Sequence, residues 1–438
     1  MGLGKTVEAI ALDKETRKQA EQKFPGAKNF PTLVIAPMSC LDDPWASHFE
    51  TWDPGRKICV IDRRNRTPFA NAIKKNSHDT YICHRDVLRL MPELTERRWL
   101  HVIADEVHRA GNRDSQQTQA LKAIKTLYKT GASGTPAQTR PQDLWSILNW
   151  LYPKKFSSYW RFFNYYVIQK THTAGWCTAD GCEKYHKRQF REILGIANED
   201  ELHDSMKDFY IRRLKEEVAP ELPDKYYSTV HVDLDPSQRR AYNQMRDDML
   251  PWIGEHENEP LAAPAAIAKL VRLQQLSAAY AEIRQVWKGA KQSDGSVKRS
   301  LVDVIRLTEP SSKLDAVMQI LQDNPTKQVV IFSVSRQLIE LLAIRLGKAK
   351  ITHAMLTGLT SQQDRTEGVR DFQAGRKRVF IGTIAAGGVG ITLTAADTVV
   401  FTDRGWSAGV NNQAIDRLHR IGQKNAVQVI DIVARDTI

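Results

Sequence analysis

Short β-branched runs alternate with longer polar or amphipathic stretches at the start of the chain. The runs are TLVIA (Thr32 to Ala36), KICVI, TYIC and HVIA (His101 to Ala104). Strands alternating with helices predict a parallel sheet. From about Pro153 to Pro310 the pattern lapses, and Lys, Arg, Glu, Gln and Ala dominate. There, WRFFNYYVI, DELHDSMKDFYIRRLKEEV and PAAIAKLVRLQQLSAAYAEI carry helical spacing. After SSKLD (Ser311 to Asp315) the alternation returns in QVVIFS, ITHAML, RVFIGT, TVVFTD and VQVIDIV. The pattern predicts two α/β lobes, residues 1–152 and 311–438, flanking a mostly helical middle, 153–310.

Charge sharpens this picture. The 438-residue chain carries a net charge of +12, which suits a polyanionic partner, nucleic acid before others. Basic pairs such as Arg63-Arg64, Lys74-Lys75 and Arg212-Arg213 are scattered, so a polyanion would meet a folded surface. Five cysteines, an odd and sparse set, point to a reducing compartment. That means cytoplasm, with a nucleoid or nuclear site according to the host. No apolar run reaches the roughly 20 residues needed to span a bilayer.

Candidate chemistry begins at the first residues, MGLGKT. Gly4, Lys5 and Thr6 match the end of G-x-x-x-x-G-K-[ST], a phosphate-binding loop whose first glycine would precede Met1. Met1-Gly2 followed by Thr6 also fits a myristoylation signal. In the loop reading, backbone N–H groups at a helix start cradle phosphate. Lys5 supplies charge for the β and γ phosphates, and Thr6 offers a hydroxyl to Mg²⁺. HVIADEVH then places Asp105 and Glu106 at the carboxyl end of a buried strand, where open α/β sheets bind ligands. Asp105 suits Mg²⁺, and Glu106 suits an attacking water. The segment KTGASGTPAQ reads as a linker that senses the nucleotide state. In the second lobe, Gly387, Gly388 and Gly390 permit close backbone approach. Arg417 and Arg420, three apart, are expected to share one helix face, with Gln413 on the same side. Two guanidiniums aimed one way can stabilise charge on a transferring phosphoryl group.

The ordered set MGLGKT, DEVH, SGTPAQ, AAGGVGITLTAAD and DRLHRIGQ closely resembles the SWI/SNF-type ATPases of helicase superfamily two. The resemblance covers nearly the whole chain, and RIGQ is its most specific part. It implies two RecA-like lobes with helical insertions between them, ATP in the cleft, and double-stranded DNA across both lobes. It also implies a monomeric motor that moves along duplex DNA or remodels protein–DNA complexes. Under it Gly2, Gly4, Lys5 and Thr6 bind phosphates, Asp105 holds Mg²⁺, Glu106 activates water, and Gly388 and Gly390 face the nucleotide. Arg417 and Arg420 become arginine fingers, and Gln413 lies at the interlobe face. Pro37, Ser39, Ser333 and Trp406 match positions near the DNA track. Trp406-Ser407-Ala408 stands where the family has WNP. The adenine-reading glutamine motif and the strand feeding the loop are not in the sequence, so the chain is expected to be cut at both ends. Strand-separating helicase activity, or a non-catalytic or split DNA-binding fragment, are the rival functions.

One motif stands outside the resemblance. His172, Cys177, Cys182 and His186 have H-x4-C-x4-C-x3-H spacing. Two thiolates and two imidazoles suit tetrahedral Zn²⁺, and reduced, metal-free thiols are the alternative.

Overall fold

The computed structural model describes residues 2–61, 66–134, 140–176, 187–255, 263–291, 297–388 and 390–438. It divides into two compact units, Met1–His172 with Arg191–Pro220, and Thr173–Phe190 with Glu221–Ile438. The strands along the chain are β1 (Thr32–Ala36), β2 (Ile58–Val60), β3 (Thr80–His84), β4 (Arg98–Asp105), β5 (Lys125–Ala132), β6 (Val167–Trp176), β7 (Lys187–Ile196), β8 (Lys225–Val232), β9 (Tyr280–Lys291), β10 (Val297–Thr308), β11 (Val329–Ser333), β12 (His353–Leu356), β13 (Val379–Thr383), β14 (Thr398–Phe401) and β15 (Val427–Ala434). Among the described residues no helix is long and apolar enough to cross a membrane.

The first unit is built on a five-stranded sheet of order β2-β3-β1-β4-β5. Every pair in it is parallel. β1 is buried along its whole length, as a central strand covered on both faces must be. Leu33, Ile35, Tyr81, Cys83, Trp99 and Val102 share one core cluster. The second unit holds a six-stranded parallel sheet of order β12-β13-β11-β14-β15-β8. Its central strand shows the two-residue period directly. Val329 and Ile331 enter one core cluster with Leu338 and Leu342. Val330 and Phe332 enter another with Phe380 and Phe401. The expected pair of parallel α/β lobes is therefore present.

The middle region is more mixed than its composition predicts. It contains the helices Glu199–Met206, Pro236–Glu255 and Ala263–Ala278. It also contains β6 paired with β7, the antiparallel pair β9–β10, and β8 on the edge of the second sheet. β8 reads KYYSTVHV and is mostly exposed. An edge strand needs no unbroken apolar run, so charge-rich surroundings hid its aromatic and β-branched residues.

The Lys5–Lys23 helix is fastened to the first sheet by charge as well as by Ala9, Ile10 and Ala20. Asp13, in its inward face, is 0% exposed. Its Oδ1 accepts from Thr32 Oγ1 at 2.7 Å and lies 2.9 Å from His101 Nδ1. Its Oδ2 meets Arg56, and Arg17 Nε lies 3.6 Å away. Arg17 donates to Thr32 Oγ1 at 2.8 Å, Arg56 donates to Thr80 Oγ1 at 2.8 Å, and His101 Nε2 lies 2.8 Å from Thr130 Oγ1. One carboxylate thus ties the helix to β1, β3, β4 and β5. Burial alone raises its pKa; the His101 hydrogen bond and the charges of Arg56, His101 and Arg17 outweigh burial and hold it below the ordinary value.

Asp13→Asn leaves those cations without their counter-charge. Breaking a buried pair from one side costs about 3–5 kcal/mol, which urea unfolding at neutral pH will show. A carboxyl depressed in the folded state contributes stability that is present above its unfolded value near pH ~4 and is lost as pH falls through the folded value. The wild-type protein should lose stability in that acid window, and Asp13→Asn should lack this component.

Candidate active site

The Lys5–Lys23 helix starts without a side-chain cap, at Gly4 with φ 79 and ψ 20. Gly2 is left-handed too, with φ 76. Two positive-φ glycines bring the backbone into the helix and leave first-turn N–H groups without a capping side chain. Lys5 and Thr6 open that first turn.

β4 ends at Asp105. Trp45 Nε1 donates to Asp105 Oδ2 at 3.0 Å, and Glu106 N donates to Oδ1 at 2.9 Å. Burial and the neighbouring Glu106 charge raise the Asp105 pKa, opposed by those two donors and by the charge of Lys5. Glu106 is left-handed, φ 48 and ψ 49, an uncommon and strained state for a residue with a side chain. Its Oε2 lies 3.2 Å from His108 Nδ1. His108 Nδ1 is also 3.0 Å from Ser133 Oγ. A cavity of about 30 Å³, lined by Arg85, Asp105, Glu106 and Arg109 among others, has room for about one water.

Trp45, His108 and Ser133 were not among the sequence candidates. The words DEVH and SGTPAQ contained two of them, but nothing local says that His108 and Ser133 meet. Thr135 to Gln138 lie outside the described residues.

The second unit corrects one expectation. Arg417 and Arg420 do not share a helix face, because the Ala408–Ile415 helix ends before them. The Arg417 carbonyl accepts from Leu393 N at 2.9 Å. The two guanidiniums still converge on one loop. Arg417 Nη2 donates to Gly388 O at 2.7 Å, and Arg420 Nη1 donates to Thr392 Oγ1 at 2.8 Å. Gln413 is 5% exposed, and its Nε2 has no acceptor among the described residues. A buried amide donor of this kind suits a missing acceptor.

The glycines beside it have local reasons. A Cβ on Gly387 would overlap the Phe332 ring, and one on Gly388 would sit 2.8 Å from Ile384 O. Gly390 is left-handed, φ 70. Gln423, the last letter of RIGQ, is buried. It donates to Ala396 O at 2.8 Å and accepts from Lys424 N and Asn425 N. It closes the turn that carries both arginines.

The remaining candidates fall in different settings. Pro37 caps the short Met38–Cys40 turn, in which Ser39 is buried. Ser333 ends β11, fully buried, and its Oγ accepts from Ser335 N at 2.9 Å. Trp406 is 72% exposed. Of the zinc set, Cys177, Cys182 and His186 lie outside the described residues. His172 Nε2 instead meets Glu192 Oε2 at 2.7 Å. Among the described residues no group of three or more His, Cys, Asp or Glu could hold a metal ion. Zinc is not supported.

A family model described as the SNF2-related domain matches residues 1–300. A model described as the helicase conserved C-terminal domain matches residues 312–422. The transcription regulatory protein SNF2 of Saccharomyces cerevisiae is 28% identical over 450 residues, 100% of this chain and 25% of that protein. The ATP-dependent helicase brm of Drosophila melanogaster is 29% identical, with 100% and 26% covered. The chain therefore spans about a quarter of the length of these relatives. The solved Sulfolobus solfataricus SWI2/SNF2 ATPase core in complex with dsDNA aligns at 23% identity and a TM-score of 0.41, over 99% of this chain and 82% of that one.

A carboxyl raised in the folded state favours folding below its unfolded value and weakens it as pH climbs through the folded value. Asp105→Asn removes that penalty. Its thermal midpoint should exceed the wild-type midpoint at about pH 8, and the gap should close towards about pH 4.

Proposed function

The chain belongs to the SNF2-related family, and from that premise we propose that it is the motor part of an ATP-dependent translocase acting on double-stranded DNA. The observation that carries this reading is that Lys5 opens the helix that starts at the left-handed Gly4, while Asp105 and Glu106 stand at the carboxyl end of β4 and the charge of Lys5 acts on Asp105. Residues 1–152 and 311–438 act as the two lobes, the second completed by β8, with the rest of 153–310 as their protrusions and link. The partner is duplex DNA, with its bound proteins as the target of remodelling, and the site of action is wherever the host keeps its DNA.

The residues at hand fit a magnesium nucleotide. The glycine-shaped helix start offers N–H donors and Lys5 offers charge, as a phosphate-binding loop requires. Thr6 and Asp105 would hold the cation. When bound, ATP with Mg²⁺ supplies the phosphoryl group that passes to water. Glu106 accepts the proton of the attacking water at its carboxylate, and His108 beside it orients that carboxylate and links it to Ser133. Arg417 and Arg420, held over the 388–392 loop, offer positive charge in the second lobe. Gln413 adds a donor beside them. Grip on DNA is mainly ionic, given the net charge of +12, hence salt-sensitive and nearly independent of sequence.

Arg420→Ala should lower DNA-stimulated ATP hydrolysis by about 10³–10⁵-fold, the usual weight of an arginine finger. Affinity for a blunt duplex, read by anisotropy, should change little. Loss of DNA affinity with turnover preserved would assign Arg420 to the DNA track instead.

A further inference from the structure

The Tyr159–Tyr166 helix, YWRFFNYY, packs Phe162 and Phe163 inward. Phe162 joins Trp145, Leu148 and Phe156 in a small satellite core. Its outer face carries something unusual for a solvated helix, a tryptophan. Trp160 is 54% exposed. It sits in a cation–aromatic ladder. The Arg113 guanidinium lies 3.7 Å from the Tyr159 ring centroid and 5.9 Å from that of Trp160. Arg191 lies 5.5 Å from Trp160 and 5.9 Å from Phe163. Tyr159 meets Trp160 edge-on at 5.2 Å.

We propose that this ladder, centred on Trp160 and flanked by Arg113 and Arg191, is a binding site for unpaired nucleic-acid bases. Charge complementarity selects that occupant. From Lys154 to His172 the chain carries Lys154, Lys155, Arg161 and Lys170 and no carboxylate. Three of the carboxylates around the ladder are already engaged, and a fourth, Asp143, acts on Tyr159. Glu201 accepts from Tyr165 OH at 2.6 Å, Glu192 pairs with His172 at 2.7 Å, and Asp114 lies 3.4 Å from Arg113. An exposed indole held by guanidiniums on a basic surface is the arrangement that stacks bases without reading sequence. The site goes beyond the duplex grip of a translocase, and it rests on the reading of the chain as DNA-acting.

The test compares, by anisotropy, a thymidine oligonucleotide of about 20 residues with an abasic oligonucleotide of equal phosphate charge. Wild-type protein should prefer the thymidine strand by about tenfold, the scale of one stacked base. Trp160→Ala should abolish that preference, and Trp160→Phe should retain most of it. Arg191→Ala, at an exposed position, should reduce it, and blunt-duplex affinity should stay unchanged in all three. Equal binding of both strands by the wild type, or a preference that survives both alanine variants, overturns the proposal. So does poly-glutamate that displaces the thymidine strand as well as DNA does, which would make the surface a dock for an acidic protein. Failure of the wild type to bind blunt duplex would overturn the translocase reading itself, a separate outcome.

Discussion

Everything proposed for the first lobe depends on how the Lys5–Lys23 helix is held, and a buried carboxylate holds it. Asp13 is enclosed and reaches Thr32, His101, Arg17 and Arg56 at once. An isolated ion there would cost far more than the lobe could tolerate. The network instead satisfies it with cations and hydroxyls from four neighbouring strands and the loop before β2. Because those bonds are directional, the helix cannot slide along the sheet as it could on an apolar face alone. Its first turn, with Lys5 and Thr6, is thereby fixed relative to the sheet. The second lobe carries a related device. Lys313 is 5% exposed and donates to Thr402 O at 2.8 Å. Burial pushes its pKa down, opposed by the charge of Asp403.

The functional surfaces follow from where strands stop. Asp105 ends β4, and the strained Glu106 turns the chain at once into the Val107–Ala110 turn. In the second lobe β13 ends at Thr383 and runs into the glycine segment. Gly387 and Gly388 are small because Phe332 and Ile384 crowd them. That crowding sets the loop which Arg417 and Arg420 grasp. Arginines that already bond the loop are pre-organised, and little side-chain freedom remains to be lost when charge approaches.

Much of this was legible in the sequence, for a physical reason. Strands such as TLVIA and VVIFS are covered on both faces, so they appear as unbroken apolar runs. The words GKT and DEVH carry their chemistry in adjacent residues. What stayed hidden was non-local. Asp13 lies in the charge-rich stretch ALDKETRKQ, and only folding brings His101 and Arg56 to it. β8 is a polar edge strand that pairs with β15, far along the chain. The stretch after Ile415 looks helical by spacing, but the helix ends there, and the Arg417 carbonyl bonds across to Leu393 N. Gln423 looked like a family signature, and the fold explains why a glutamine stands there. Its amide bonds hold together the turn that carries the arginines.

The central claim is that Glu106 takes the proton of water beside a nucleotide held by Lys5 and Asp105. Glu106→Gln tests it most directly, with a fluorescent ATP analogue for binding and phosphate release for turnover. The account predicts nucleotide affinity near that of the wild type and hydrolysis lower by about 10²–10⁴-fold, the range of a lost general base. Undiminished hydrolysis in this variant would contradict it.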